Sequence, residues 1–78
     1  MTLTTAAPVP VGSTLLASVT YDAAGSILQL ELCDGSIYSY FAVPEDIVHG
    51  LLAADSKGSY FNSRIRSCFR YTRLRRPK

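Results

Sequence analysis

Lys57, Arg64, Arg66, Arg70, Arg73, Arg75, Arg76 and Lys78 are all the cations of this 78-residue chain, with Tyr60, Phe61, Phe69 and Tyr71 interleaved among them. Such a stretch can attract polyanions. Its cations neutralise phosphates and displace counterions, and its aromatic rings stack unpaired bases. Six of the eight cations are arginines, which favours planar, two-pronged phosphate recognition over a merely soluble surface. The acids stand apart. Asp22, Glu31, Asp34, Glu45, Asp46 and Asp55 all precede Lys57, so residues 1–56 carry −6 and residues 57–78 carry +8 behind a net charge of +2.

Reactive groups are sparse. His49 is the sole histidine and is expected on an exposed helix face, with no nucleophile or base spaced to work with it. Cys33 and Cys68 form no CxxC pair or His/Cys cluster, so neither a metal nor another cofactor is expected. Two cysteines are few for a secreted mini-domain, and reduced thiols in a cytoplasm are the expectation. Cys68 reads as a small buried hydrophobe at the end of a Phe61–Ile65 face. Ser56-Lys57-Gly58 is either a small anion nest or a connector between helices; it lacks the spacing of a nucleotide loop. Asn62 reads equally as a ligand contact or a turn amide. The expectation is a binding module and not an enzyme.

The elements that position these residues follow from length and periodicity. Seventy-eight residues allow one domain around one small core. No apolar stretch reaches the roughly 20 residues needed to span a bilayer, and the first residues lack the pattern of a signal peptide. Residues 1–12, with Pro8, Pro10 and Gly12, read as an extended or disordered arm. From Ala17 to Asp22 and from Leu28 to Leu32 the period is two, which marks two strands joined by a turn over 22–26. Ser36 to Val43 make the third. Asp34-Gly35 reads as a two-residue type I′ turn, which pairs Leu32 with Ile37, Glu31 with Tyr38, Leu30 with Ser39, Gln29 with Tyr40 and Leu28 with Phe41. That register places Leu28, Leu30, Leu32, Ile37 and Phe41 in the core, with Val19 and Tyr21. It leaves Tyr38 and Tyr40 on the other sheet face beside Gln29 and Glu31, either open or covered by the short C-terminal helix or segment 69–74.

Pro44-Glu45-Asp46 starts a helix whose Ile47, Val48, Leu51 and Leu52 face the sheet, leaving His49, Gly50 and Ala53 to solvent. Asp55 or Ser56 caps a shorter helix over about 57–66, where Lys57, Tyr60 and Arg64 share a row. Phe69 to Leu74 is a candidate fourth strand. Arg75 to Lys78 read as a frayed basic tail.

These pieces resemble the KTSC domain, a module named for the C-terminus of some lysyl-tRNA synthetases and also found as a stand-alone bacterial or phage protein. The resemblance runs from about Val11 to Leu74. It rests on the order of Val11-Gly12-Ser13-Thr14, Tyr21-Asp22, Gly35, Tyr38-Ser39-Tyr40, Val43-Pro44, Ser56-Lys57-Gly58, Tyr60-Phe61-Asn62, Ile65-Arg66 and the segment from Tyr71 to Leu74. Arg70 stands where relatives often carry proline, and Leu32 where an aromatic is common. The family has no established function, and RNA binding is the suspected one.

The expected architecture is therefore α+β: a three-stranded antiparallel meander, with a candidate fourth strand, packed on one helix, plus a short C-terminal helix. Its divisions are an arm over 1–12, one domain over 13–74 and a basic tail over 75–78. The expected function is a non-catalytic nucleic-acid-binding module, with RNA favoured over DNA. Arg64, Arg66, Arg70 and Arg73 would hold phosphates with help from Lys57, and Tyr38, Tyr40 and Tyr60 would stack bases. The alternative is a protein-interaction module that docks on an acidic protein or nucleoprotein surface. No membrane and no small-molecule substrate is expected.

Overall fold

The hairpin around Asp34-Gly35 decides which side chains face inward. In the computed structural model, which describes residues 8–77, it closes through three residues and not two. The Leu32 N–H donates to the Ser36 carbonyl at 2.8 Å, and the Gly35 N–H donates to the Leu32 carbonyl at 2.9 Å. Gly35 has φ 92°, whereas Asp34 is not among the residues with positive φ. A type I′ turn needs positive φ at both central positions; a three-residue loop needs it only at the last. Asp34 is held in the commoner conformation because its Oδ1 accepts from the Ser36 N–H at 2.9 Å and from the Ser36 hydroxyl at 2.5 Å.

The extra loop residue slips the register by one and exchanges the faces. Leu28 pairs with Tyr40, Gln29 with Ser39, Leu30 with Tyr38 and Glu31 with Ile37. Tyr38 and Tyr40 therefore join the leucines on the inner face, which corrects their placement on the other face. Ile37 moves to the outer face opposite Glu31, and Phe41, expected in the core, is 38% exposed.

The sheet has five strands in chain order, each antiparallel to the next: β1 (Val9–Pro10), β2 (Leu16–Asp22), β3 (Ile27–Leu32), β4 (Ile37–Tyr40) and β5 (Tyr71–Arg75). β5 is the candidate fourth strand. β1 is an addition within the expected arm, pairing Val9 with Val19 and Pro10 with Ser18. A proline is tolerated there because an edge strand can spare a donor. Residues 1–7 of the arm and Lys78 of the tail lie outside the described residues.

Two helices complete the core, α1 (Glu45–Ala53) and α2 (Lys57–Arg64). Val48 and Leu51 of α1 and Phe61 of α2 are buried with Leu16, Val19, Tyr21, Leu28, Leu30 and Tyr40 of the sheet. Glu45 and Asp46 sit in the first turn of α1, where carboxylates complement the helix dipole. Ser56 caps α2, its Oγ accepting from the Ser59 N–H at 3.3 Å. The Tyr21 hydroxyl donates to the Val43 carbonyl at 2.7 Å and ties β2 to the start of α1.

Gly50 does not face open solvent as expected. A Cβ there would collide with the Tyr60 hydroxyl and lie 2.7 Å from the Tyr60 Cζ, so the missing side chain is what lets the two helices approach. Among the described residues no helix is long and apolar enough to cross a membrane.

Candidate functional site

β4 and β5 present their aromatic side chains on the inner face, but α2 covers only part of it. The remainder is a cleft of about 510 Å³ between these strands, the β3–β4 loop and the end of α2. Tyr38, Tyr40 and Tyr71 line it from the sheet, and Phe61, Asn62 and Arg66 line it from α2 and the turn that follows. Asp34 and Ser36 line it from the loop. A cavity of that size falls within the roughly 300–1,000 Å³ typical of ligand sites.

The rings form one contiguous cluster. Tyr40 packs edge-on against Phe61 at 5.8 Å between centroids, and Tyr71 stands 5.4 Å from Tyr40 and 5.7 Å from Tyr38. Their accessibility differs. Tyr40 is 2% exposed and is a core residue, Tyr38 is half-buried, and Tyr71 is 56% exposed. Burial above all, with smaller contributions from Tyr71 and Tyr38, pushes the Tyr40 phenol up to about 12, against the opposing pull of Arg66. The Asp34 carboxyl is held below its usual range, first by the Ser36 side-chain hydrogen bond and then by the Ser36 backbone N–H.

The expected site residues divide into two groups along α2. At its end, Arg66 is exposed beside the cleft with a guanidinium N–H 3.4 Å from Asn62 Oδ1. Arg64 is exposed in the last turn, Arg70 immediately precedes β5, and Arg73 pairs in register with Tyr38. None of these four arginines has a carboxylate partner among the described residues, where Arg75 pairs with Glu31 at 3.1 Å. At the start of α2 the residues are occupied. The Lys57 amine donates to the Ala54 carbonyl at 3.1 Å, and the half-buried Tyr60 donates its hydroxyl to the Ile47 carbonyl at 3.0 Å. Both bonds join α2 to α1, so these two side chains hold the helices together.

Ser56-Lys57-Gly58 lies in a second, smaller depression that also contains Asp55, Ser13 and Thr14. Lys57 and Gly58 open α2, and a Cβ added at Gly58 would meet Leu15 only at ordinary contact distance. Arg75 ends β5 and is not frayed: its Nε donates to the Gly35 carbonyl at 2.8 Å, fastening the strand to the hairpin loop. Cys33 and Cys68 are free and exposed, which corrects the buried placement of Cys68. No metal-binding group of His, Cys, Asp or Glu occurs among the described residues.

Tyr71, Asp34 and Ser36 are among the cleft residues that the sequence did not single out as site residues. The alternation over Phe69 to Leu74 was the available signal for Tyr71, because a strand there must place every second residue on the aromatic face. The family model for the KTSC domain matches residues 12–71. The chain belongs to the KTSC domain family.

This KTSC domain is 41% identical over 63 residues to an uncharacterized protein of Stutzerimonas stutzeri, covering 80% of this chain and 89% of the relative. It is 43% identical over 54 residues to a lysine–tRNA ligase of Nostoc sp., covering 69% of this chain and 10% of that enzyme. Its structure is similar to that of a KTSC domain protein from Yersinia pestis, with a TM-score of 0.83 and 28% identity over 88% of this chain and 97% of the other. The family match includes Tyr38, Asn62, Arg66 and Tyr71 of the cleft and ends before Arg73.

Proposed function

We propose that this KTSC domain is a non-catalytic nucleic-acid-binding module that takes single-stranded RNA in preference to DNA. The observation that carries this reading is that Arg66 lines the same cleft as the Tyr38 and Tyr71 rings and Arg73 pairs with Tyr38, while Arg64, Arg66, Arg70 and Arg73 lack carboxylate partners among the described residues. Arginines without acidic partners are free to hold phosphates, and a partly open aromatic wall accepts bases that a duplex keeps stacked. Single-stranded RNA is recognised in this way, by splayed bases on aromatic rings. The matching segment in proteins named lysine–tRNA ligases, whose substrate is an RNA, accords with it.

The test is titration of labelled single-stranded RNA at several salt concentrations. Four phosphate contacts give a log–log slope of about −3 for a single strand. Absence of binding at low salt would remove the nucleic-acid reading. It would favour the second reading, a protein-interaction module, which has its own support in β5. All five residues of that edge strand are exposed and three are cationic or aromatic (Tyr71, Arg73 and Arg75), as an acidic extended peptide would require.

A further inference from the structure

The cleft has chemically distinct ends. Asp34 and Ser36 stand at the hairpin end, where β4 begins, whereas Tyr40, where β4 finishes, packs against Phe61, whose carbonyl accepts from the Arg66 N–H at 2.9 Å. Four strand steps separate Ser36 from Tyr40, or about 13 Å at the usual rise. The Tyr38 ring lies between them, and Tyr71, which pairs with Tyr40, meets it edge-on at 5.7 Å. One end can accept hydrogen bonds, the middle can stack a flat ring, and the other end can hold an anion.

We propose that the cleft is a pocket for one unstacked guanine base, read at its Watson–Crick edge by Asp34; this rests on the nucleic-acid reading above. Ser36 occupies only Oδ1 of the Asp34 carboxylate through its N–H and its hydroxyl, so Oδ2 remains as an acceptor. Guanine is the base whose Watson–Crick edge offers two adjacent donors, N1–H and the N2 amine, to a carboxylate. Adenine and cytosine each set a ring acceptor beside their amine, and uracil flanks its single N–H with two carbonyls, so each meets the carboxylate with repulsion. Tyr38, between Asp34 and Tyr40, stacks the base, with the exposed Tyr71 ring edge-on beside it. Arg66 then meets the phosphate beyond, and the Asn62 amide beside it is left for the sugar. An anionic reader within a basic surface has a clear use. Phosphate repulsion by Asp34 weakens every sequence equally, and guanine recovers the loss through its paired donors.

The test compares short oligouridylates carrying one central guanine, adenine, cytosine or uracil, titrated against the unaltered full chain at one salt concentration. The guanine oligomer is expected to bind about tenfold tighter than the other three, the scale of hydrogen bonding to one charged acceptor. Asp34→Asn keeps a carbonyl oxygen for Ser36 but replaces the free acceptor with a donor. It should abolish the guanine preference and, by removing the repulsion, tighten binding of the plain oligouridylate. Equal binding of all four oligomers by the unaltered chain would overturn the guanine pocket and leave the RNA reading standing. No binding of any oligomer would overturn both. Guanosine monophosphate titrated alone separates the two sources of the base: it should bind weaker than the guanine oligomer, because it brings fewer phosphates to the arginines. Equal affinity would assign the same guanine pocket to a free nucleotide and overturn its place in RNA binding.

Discussion

The two ends of α2 carry similar residue types and put them to opposite uses. At the first end, Lys57 and Tyr60 each donate to a backbone carbonyl at the end of α1 or within it, and Gly50 makes room for the tyrosine. At the last end, Arg64, Arg66 and the nearby Tyr71 are exposed, and Arg66 borders an aromatic cleft. A basic, aromatic composition therefore does not identify an interface. What distinguishes the two ends is whether the polar atoms are already satisfied within the fold.

The comparison can be broken most forcefully inside the cleft itself. Tyr40 is the part of the aromatic wall that belongs to the core, so Tyr40→Ala should cost about 3–5 kcal/mol in a denaturant melt. The same burial predicts an alkaline signature. The folded phenol titrates at about 12, above its unfolded value near 10. Because the folded value is the higher one, this contribution is complete below pH 10 and is lost as the pH rises toward 12. Ultraviolet titration of the phenols should show one late tyrosine whose ionisation accompanies unfolding.

A smaller loss is expected at the structural end of α2. Gly50→Ala forces a methyl group into the Tyr60 ring and should destabilise the fold by about 1–3 kcal/mol, with RNA affinity of the folded fraction unchanged. Tyr71→Ala tests the other side. Stability should fall by about 1 kcal/mol, the scale of its ring contacts, while RNA binding weakens by about 1–3 kcal/mol. Least of all, Tyr60→Phe removes one hydrogen bond and should cost about 1 kcal/mol of stability with no change in RNA affinity. Equal effects of Tyr71→Ala and Tyr60→Phe on RNA binding would erase the distinction between the two ends.

Features set by short-range chemistry were legible in the sequence. The alternation of Leu28 and Leu30, the acids after Pro44 and the Ser56 cap all act within a few residues, and the structure bears out each element. The register of β3 on β4 was not legible, because it turns on the φ of a single residue. Asp34-Gly35 suits a two-residue or a three-residue loop, and only the side-chain bond from Asp34 to Ser36 favours the longer. One residue of difference then moved Tyr38 and Tyr40 to the other face. β1 escaped detection because two residues carry no period. That segment 69–74 could cover Tyr38 and Tyr40 was legible, but not that Tyr71 is the residue that meets them, since that contact is fixed only once β5 pairs with β4.

The most direct measurement is a map of amide and aromatic chemical-shift changes on adding single-stranded RNA at low salt. The largest changes are predicted at Tyr38, Asn62, Arg66, Tyr71 and Arg73, with Lys57 and Tyr60 little affected. Changes centred on Lys57 and Tyr60, or none at all, would contradict the assignment of the binding surface to the open end of the aromatic cleft.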